Sequence, residues 1–136
     1  MALTHLLDTS VLTRLHQSAV RDVVEPLAAG RAARAGISDL AIGFSARNAT
    51  EWDKLISALT AFDLVETTAR HVQRAKAVQR LLASTSQRGR KIPDLLVAAA
   101  AEEAGLIVLH YDTDFDLIAA VTGQPSQWVT PPGTIN

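Results

Sequence analysis

The sequence contains no cysteine, which removes disulfides, thiolate zinc centres and a cysteine nucleophile together. That fits a reducing compartment. No apolar run approaches the roughly 18 residues that cross a bilayer, and the opening MALTHLLDTS has neither the basic segment nor the long apolar stretch of a secretory leader. A cytoplasmic protein with no membrane attachment is expected. A basic surplus is missing too, because 13 Lys and Arg stand against 14 Asp and Glu for a formal net charge of -1. Proteins that hold nucleic acid by bulk attraction carry a marked cationic excess, so any RNA contact here must be local or made through a bound metal. The four histidines, His5, His16, His71 and His110, show neither HxH nor HExxH spacing, and no G-x-S-x-G elbow occurs. His110, inside an apolar run, is expected to be a packed residue.

The 136 residues suffice for one domain, 1–136, that buries roughly two-thirds of its unfolded surface. Helical and strand patterns alternate along it with no repeat and no low-complexity linker, which predicts a single α/β layer fold. Thr4 to Leu7 reads as a first strand, handing over at Asp8-Thr9-Ser10 to a helix holding Val11, Leu12 and Leu15. A second helix is expected over Val20 to Ala29 with a break at Pro26, then a short strand over Ala35 to Ile37. Ser38 and Asp39 are expected to cap a helix through Asn48, and Thr50 with Glu51 to open another carrying Trp52, Leu55, Ile56 and Leu59. An edge strand over Phe62 to Val65 precedes a long helix from His71 to Ala83. Pro93 suits the first turn of a helix from Asp94 to Ala104, and Gly105 suits its end. Leu106 to Tyr111 is nearly all apolar, as in a strand covered by helices on both faces, and is expected to lie centrally. Gln127 to Val129 reads as a last short strand.

Four aspartates fall where strands end or helices begin: Asp8, Asp94, Asp112 and Asp114. Any one of them alone is well explained as a helix cap. Capping does not explain why they should converge, since in a parallel sheet Asp8 and Asp112 both end strands that open onto the crevice where the winding reverses. Clustered carboxylates repel one another and raise each other's pKa unless a cation is supplied, and they are hard donors suited to Mg2+ or Mn2+. Thr9 and Ser10 read as supports for Asp8. Arg88, Arg90 and Lys91 precede Asp94 closely enough to meet RNA phosphates, with a solvated loop as the plainer reading. Val11, Leu12, Leu15, Trp52, Leu55 and Leu59 are core by default, or in part a surface for a partner helix or a second copy of the chain.

Taken in order, LLDTSVL, ISDLAIGFSAR, GRKIPDLLVAAAAEEAGL and VLHYDTDFDLIA resemble a PIN domain of the VapC toxin type over nearly the whole chain. The resemblance implies a three-layer sandwich: a mostly parallel sheet of 4 or 5 strands with helices on both faces. It implies a Mg2+- or Mn2+-dependent endoribonuclease toxin, a homodimer paired with a small VapB-like antitoxin that occludes the site. By the same resemblance Asp8, Asp94 and Asp112 are metal carboxylates, Asp114 an accessory acid, and Thr9 or Ser10 a support for the first. The family's remaining acid, a Glu in the helix after the second strand, falls on Ala41. Asp39 cannot simply replace it, because two residues along a helix turn a side chain by about 200°. An alanine in this motif reads as a natural loss or an inactivating substitution, and predicts reduced turnover with folding intact.

Three other readings are weighed on the residues. A phosphorelay receiver needs an acidic pair before its phosphorylated Asp and a Lys on its last strand, whereas Leu6 and Leu7 precede Asp8 and no Lys follows Lys91. A phosphatase with an aspartyl nucleophile wants DxD after the first strand, and here DxD stands at the far end. A noncatalytic PIN domain acting by antitoxin or RNA binding is the third.

Overall fold

The computed structural model describes residues 2–87 and 91–136. Its sheet is built outward from β1 (His5–Leu7), which pairs in parallel with β2 (Ala32–Ala35) on one side and with β4 (Ile107–His110) on the other. The edges are β3 (Asp63–Val65) beside β2 and β5 (Ser126–Trp128) beside β4, also parallel, giving the order β3-β2-β1-β4-β5. The β1 and β4 junction is the place where this order turns back on itself.

Register explains why such short strands suffice. Leu6 pairs with Val108 and Leu7 with Leu109, and successive side chains on a strand point to opposite faces. Leu6 and Val108 enter one core with Ala75, Val78 and Leu82 of α5 (Ala69–Ser84), Leu95, Leu96, Val97, Ala98, Ala100 and Ala101 of α6 (Ile92–Ala104), and Phe115 and Ile118 of α7 (Asp114–Thr122). Leu7 and Leu109 enter the other with Val11 and Leu12 of α1 (Thr9–Leu12), Val20 and Val24 of α2 (Ser18–Val24), Ile42 of α3 (Gly36–Gly43) and Leu59 of α4 (Ala49–Leu59). The result is the expected α/β three-layer sandwich, with five strands and all pairings parallel. Among the described residues, no helix is long and apolar enough to cross a membrane.

Several boundaries differ from expectation. The second strand is Ala32–Ala35, not Ala35 to Ile37, and Gly36 already opens α3. Alanine has low β propensity, and Arg34 hides the strand pattern because its buried guanidinium is satisfied by Asp39 and by the carbonyls of Leu59 and Phe62. Ser38 and Asp39 therefore do not cap: Asp39 binds Arg34 at 2.8 Å, and α3 stops at Gly43. Asn48, expected inside that helix, caps α4 instead by accepting the Glu51 N–H at 2.8 Å. Pro26 ends α2 in a 3-10 turn, and Gly105 closes α6 at φ 70°, both as expected. The run around Leu109 is an interior strand, but the middle one is β1.

The six apolar residues considered as a partner surface are mostly core. Val11, Leu12 and Leu59 are buried and Leu15 and Leu55 half-buried against them, leaving Trp52 exposed. The more open apolar side chains lie elsewhere on the α3–α4 arm, at Leu40 (72% exposed) and Phe44 (92%).

Candidate metal centre

Asp8 lies immediately beyond β1, in extended conformation, and is the N-cap of α1. Its Oδ2 accepts the Ser10 N–H at 3.0 Å and the Ser10 hydroxyl at 2.6 Å, while Oδ1 is buried without a partner. Burial raises its carboxyl above the usual range, and Asp112 adds to this against the bonds from Ser10 and Thr9. Ser10 also accepts the Tyr111 N–H at 2.9 Å. Thr9 donates to Ser38 Oγ at 3.0 Å, which sets α3 beside the start of α1.

Asp94 enters from the first turn of α6, just after Pro93, and is buried. Oxygens of Asp94, Asp112 and Asp114 lie within 4.8 Å of one another. Asp112 and Asp114 reach this position through a tight turn after β4, in which the Asp114 N–H bonds Asp112 Oδ1 at 2.9 Å. Burial first, then the charge of Asp8, pushes Asp94 up to about 9. Its Oδ2 is buried and accepts no hydrogen bond from the described residues, and Lys91 Nζ lies 3.9 Å away.

Lys91 supplies counter-charge to this trio: its ammonium pairs closely with Asp112 Oδ2, and its backbone N–H bonds Asp114 Oδ2 at 3.3 Å. Burial alone would raise Asp112, but Lys91, the Asp114 amide and Asp94 together hold it below its ordinary value. The bond to Asp112 in turn raises Lys91.

These acids open into a cavity of about 550 Å³ whose walls include Asp8, Ser10, Arg14, Lys91, Asp94, Tyr111, Asp112 and Trp128. The donor set is all carboxylate, and two buried carboxylate oxygens, Asp8 Oδ1 and Asp94 Oδ2, have no hydrogen-bond donor. An uncompensated buried oxygen is costly, and a hard divalent cation is the group that would satisfy both. The residues fit a Mg2+ or Mn2+ site.

The fold, too, has known counterparts. The family profile described as PIN domain matches residues 5–121. The chain belongs to the PIN domain family. Over 137 aligned residues this PIN domain is 68% identical to Ribonuclease VapC51 of Mycobacterium tuberculosis, covering 100% of both chains. It is 44% identical to Ribonuclease VapC21 of the same species, over 98% of this chain and 99% of the relative. Its fold matches VapBC2 from Rickettsia felis, solved with a promoter DNA fragment, at TM-score 0.75 and 15% identity over 93% of this chain and 98% of that one. DNA-bound VapBC from Salmonella typhimurium matches at TM-score 0.76 and 13% identity, over 94% and 99%.

Within the PIN domain, the sequence-derived residues fall as follows. Asp8, Asp94 and Asp112 line one cavity, with Thr9 and Ser10 beside them. Asp114, expected as an accessory, forms a carboxylate trio with Asp94 and Asp112, and Asp8 faces the cavity lined by Asp94 and Asp112 from the β1 end. Ala41 is half-buried on α3, one turn beyond Ser38. Lys91, expected near RNA phosphates, spends its charge on Asp112. Arg88 and Arg90 lie outside the described residues. His110 is fully buried, with Nδ1 accepting the Asp112 N–H at 3.2 Å. Sequence reasoning missed Arg14, Tyr111 and Trp128 as cavity walls. Only Tyr111, next to Asp112, carries a local signal. Trp128 arrives through its pairing with His110 across β4 and β5.

Proposed function

We propose that this chain is a Mg2+- or Mn2+-dependent endoribonuclease toxin of a toxin-antitoxin pair, slowed because Ala41 stands where the family's fourth acid belongs. The observation that carries this is the convergence of Asp8, Asp94 and Asp112 on one cavity, with Asp114 grouped with Asp94 and Asp112 and two buried oxygens lacking donors. It is supported by 68% identity along the full length of a protein named a ribonuclease.

Asp94 and Asp112, with Asp8 or Asp114, would hold the ion. A divalent cation there supplies Lewis-acid charge to a phosphate oxygen and lowers the pKa of an attacking water. The chain's own residues do the positioning. Ser10 fixes the direction of Asp8 through Oδ2, leaving Oδ1 for the cavity, and the Asp112–Asp114 turn locks the second pair of carboxylates. Lys91 neutralises Asp112 until a stronger cation replaces it.

The helix bearing Ala41 packs beside α1 and α6, the elements that carry Asp8 and Asp94. Ser38 bonds Thr9 from this helix, and position 41, three residues on, shares its flank. A carboxylate at 41 would be delivered toward the acids. Asp39 is committed to Arg34 and does not fill the gap. Partners follow from the same reading: single-stranded RNA as substrate, a VapB-like antitoxin as inhibitor, and a second copy of the chain. VapBC complexes share the fold, and Leu40 and Phe44 offer exposed apolar surface for such contacts.

The Ala41 position also favours a second reading, a catalytically silent PIN domain that binds antitoxin or RNA. Ala41→Glu decides between them. Under the first reading it raises Mg2+-dependent RNA cleavage by roughly 10-fold to 1000-fold, the range that single metal-shell and electrostatic groups contribute. Ala41→Gln fills the same space without charge and leaves activity where it was. Equal and negligible cleavage by the parent and both variants, under conditions where a related nuclease works, selects the silent reading.

A further inference from the structure

The acids use only part of the cavity. About six waters around a metal occupy roughly 180 Å³ at roughly 30 Å³ each, against a volume of about 550 Å³. The wall that the acids leave over is made by Arg14, Tyr111, Trp128 and the tail segment at Pro132 and Gly133. We propose that this wall is a nucleotide subsite, in which a base of the RNA stacks on the Trp128 indole while Arg14 meets a backbone phosphate. The proposal rests on the RNA-cleaving reading above and adds how the substrate is held.

Trp128 is fixed before any ligand arrives. Its Nε1–H is shared between the two Asp116 oxygens at 3.1 and 3.3 Å. Its ring stands edge-on to Tyr111 at 5.5 Å and 89°, and lies 4.9 Å from His110. The ring is only half-buried and lines the cavity. An aromatic face held rigid beside open volume is the platform on which single-stranded nucleic acid stacks, irrespective of base.

Tyr111 is pinned just as firmly. Its hydroxyl donates to the Ile135 carbonyl at 2.9 Å and accepts the N–H groups of Gly133 at 2.9 Å and Ile135 at 3.2 Å. The tail is thereby strapped across the cavity's edge.

Arg14 carries the charge argument. Its Nη1 donates to the Ser10 carbonyl at 2.7 Å, its Nε to the main-chain oxygen of Asn136 at 2.8 Å, and its guanidinium lies 5.2 Å from the Tyr111 ring centre. These partners hold it in place, and Nη2 bonds none of the described residues. Lys91 differs, being tied to Asp112. Arg14 is therefore a cavity cation held at the tail and placed beside an aromatic face, with Nη2 left for a phosphate, and that is the pairing a nucleotide needs.

The test uses the full chain, in metal-free buffer so that binding is read without cleavage. The probes are a short single-stranded RNA and the same RNA with abasic sites. With Trp52→Phe as background, RNA is expected to quench the remaining Trp128 emission, and abasic RNA to quench it less. Trp128→Leu, which keeps apolar bulk against His110 without an aromatic face, should weaken binding roughly 5- to 100-fold and lose the preference for intact over abasic RNA. Trp128→Phe should retain most of both. Arg14→Gln should lower the slope of log affinity against log salt by about 0.7, the share of one phosphate on a single strand.

Unchanged affinity and unchanged base preference in Trp128→Leu would overturn the subsite, as would an unaltered salt slope in Arg14→Gln, which would leave Arg14 as a strap for the tail. Failure here is separable from failure of the nuclease reading. If Ala41→Glu cleaves RNA and adding Trp128→Leu leaves its KM alone, the nuclease stands and the subsite falls. If Ala41→Glu cleaves no RNA and the parent binds none, both fall.

Discussion

The Ser10 hydroxyl accepts the Tyr111 N–H at 2.9 Å across 101 residues of chain, and the same hydroxyl donates to Asp8 at 2.6 Å. One oxygen thus ties the ends of β1 and β4 together and sets the rotation of the first acid. Ser10→Ala leaves the Tyr111 N–H unpaired and Asp8 Oδ2 with a single donor. The expected loss is about 1–3 kcal/mol of stability, the usual penalty for an orphaned buried group. Mn2+ affinity should fall roughly 10-fold to 100-fold, as for other changes behind a metal ligand. Denaturant unfolding and calorimetric titration read the two separately, and unchanged metal affinity would show that Asp8 needs no orienting partner.

Asp94 makes the metal-free protein sensitive to pH. An unfolded aspartate titrates near 3.8, whereas burial and the charge of Asp8 hold Asp94 up to about 9. Between those values the folded state keeps a proton that the unfolded state has released, so stability is full below the lower value and declines as pH rises toward the upper. Asp112 has the opposite sign, but its window lies below 3.8. Melting temperature in a chelator is expected to fall from about pH 5 to about pH 9, and Asp94→Asn should flatten that fall. Mg2+ should reverse it at the alkaline end by displacing the proton. A flat profile in the parent would mean that Asp94 is ionised without metal.

Lys91 supplies positive charge to the acids by pairing with Asp112 and lying 3.9 Å from Asp94 Oδ2. Lys91→Met keeps much of the side chain's length and removes the charge. The metal-free form should lose stability, and saturating Mn2+ should raise the melting temperature by more than in the parent, because a competitor has gone and binding to the folded state is tighter. A smaller gain than in the parent would assign Lys91 a supporting role in metal binding instead.

The sequence exposed the parts of this site that local chemistry marks. Asp8, Asp94 and Asp112 stand at strand-to-helix junctions, where caps, Pro93 and Gly105 betray the change of element. Asp114 was harder to place, because its membership of the trio depends on a turn closed by Asp112 Oδ1. The second strand was misplaced by three residues, since the alanines flanking Arg34 carry little strand signal and its carbonyl and carboxylate partners come from other elements. Trp128 and Arg14 left no trace at all. Their nearness to the acids depends on pairing of β5 with β4 and on contacts more than 90 residues apart in the chain, such as Arg14 with Tyr111.

The pairing of His5 with Ile107 and Leu7 with Leu109 has a temporal meaning. A chain leaving the ribosome exposes β1 and Asp8 first, but the neighbour that completes the crevice is encoded about a hundred residues later, and contacts of such separation form late. Most of the polypeptide must emerge before Asp112 and Asp114 can join Asp94. A nascent chain of this architecture cannot assemble its acidic crevice until β4 has left the ribosome, about a hundred residues after Asp8.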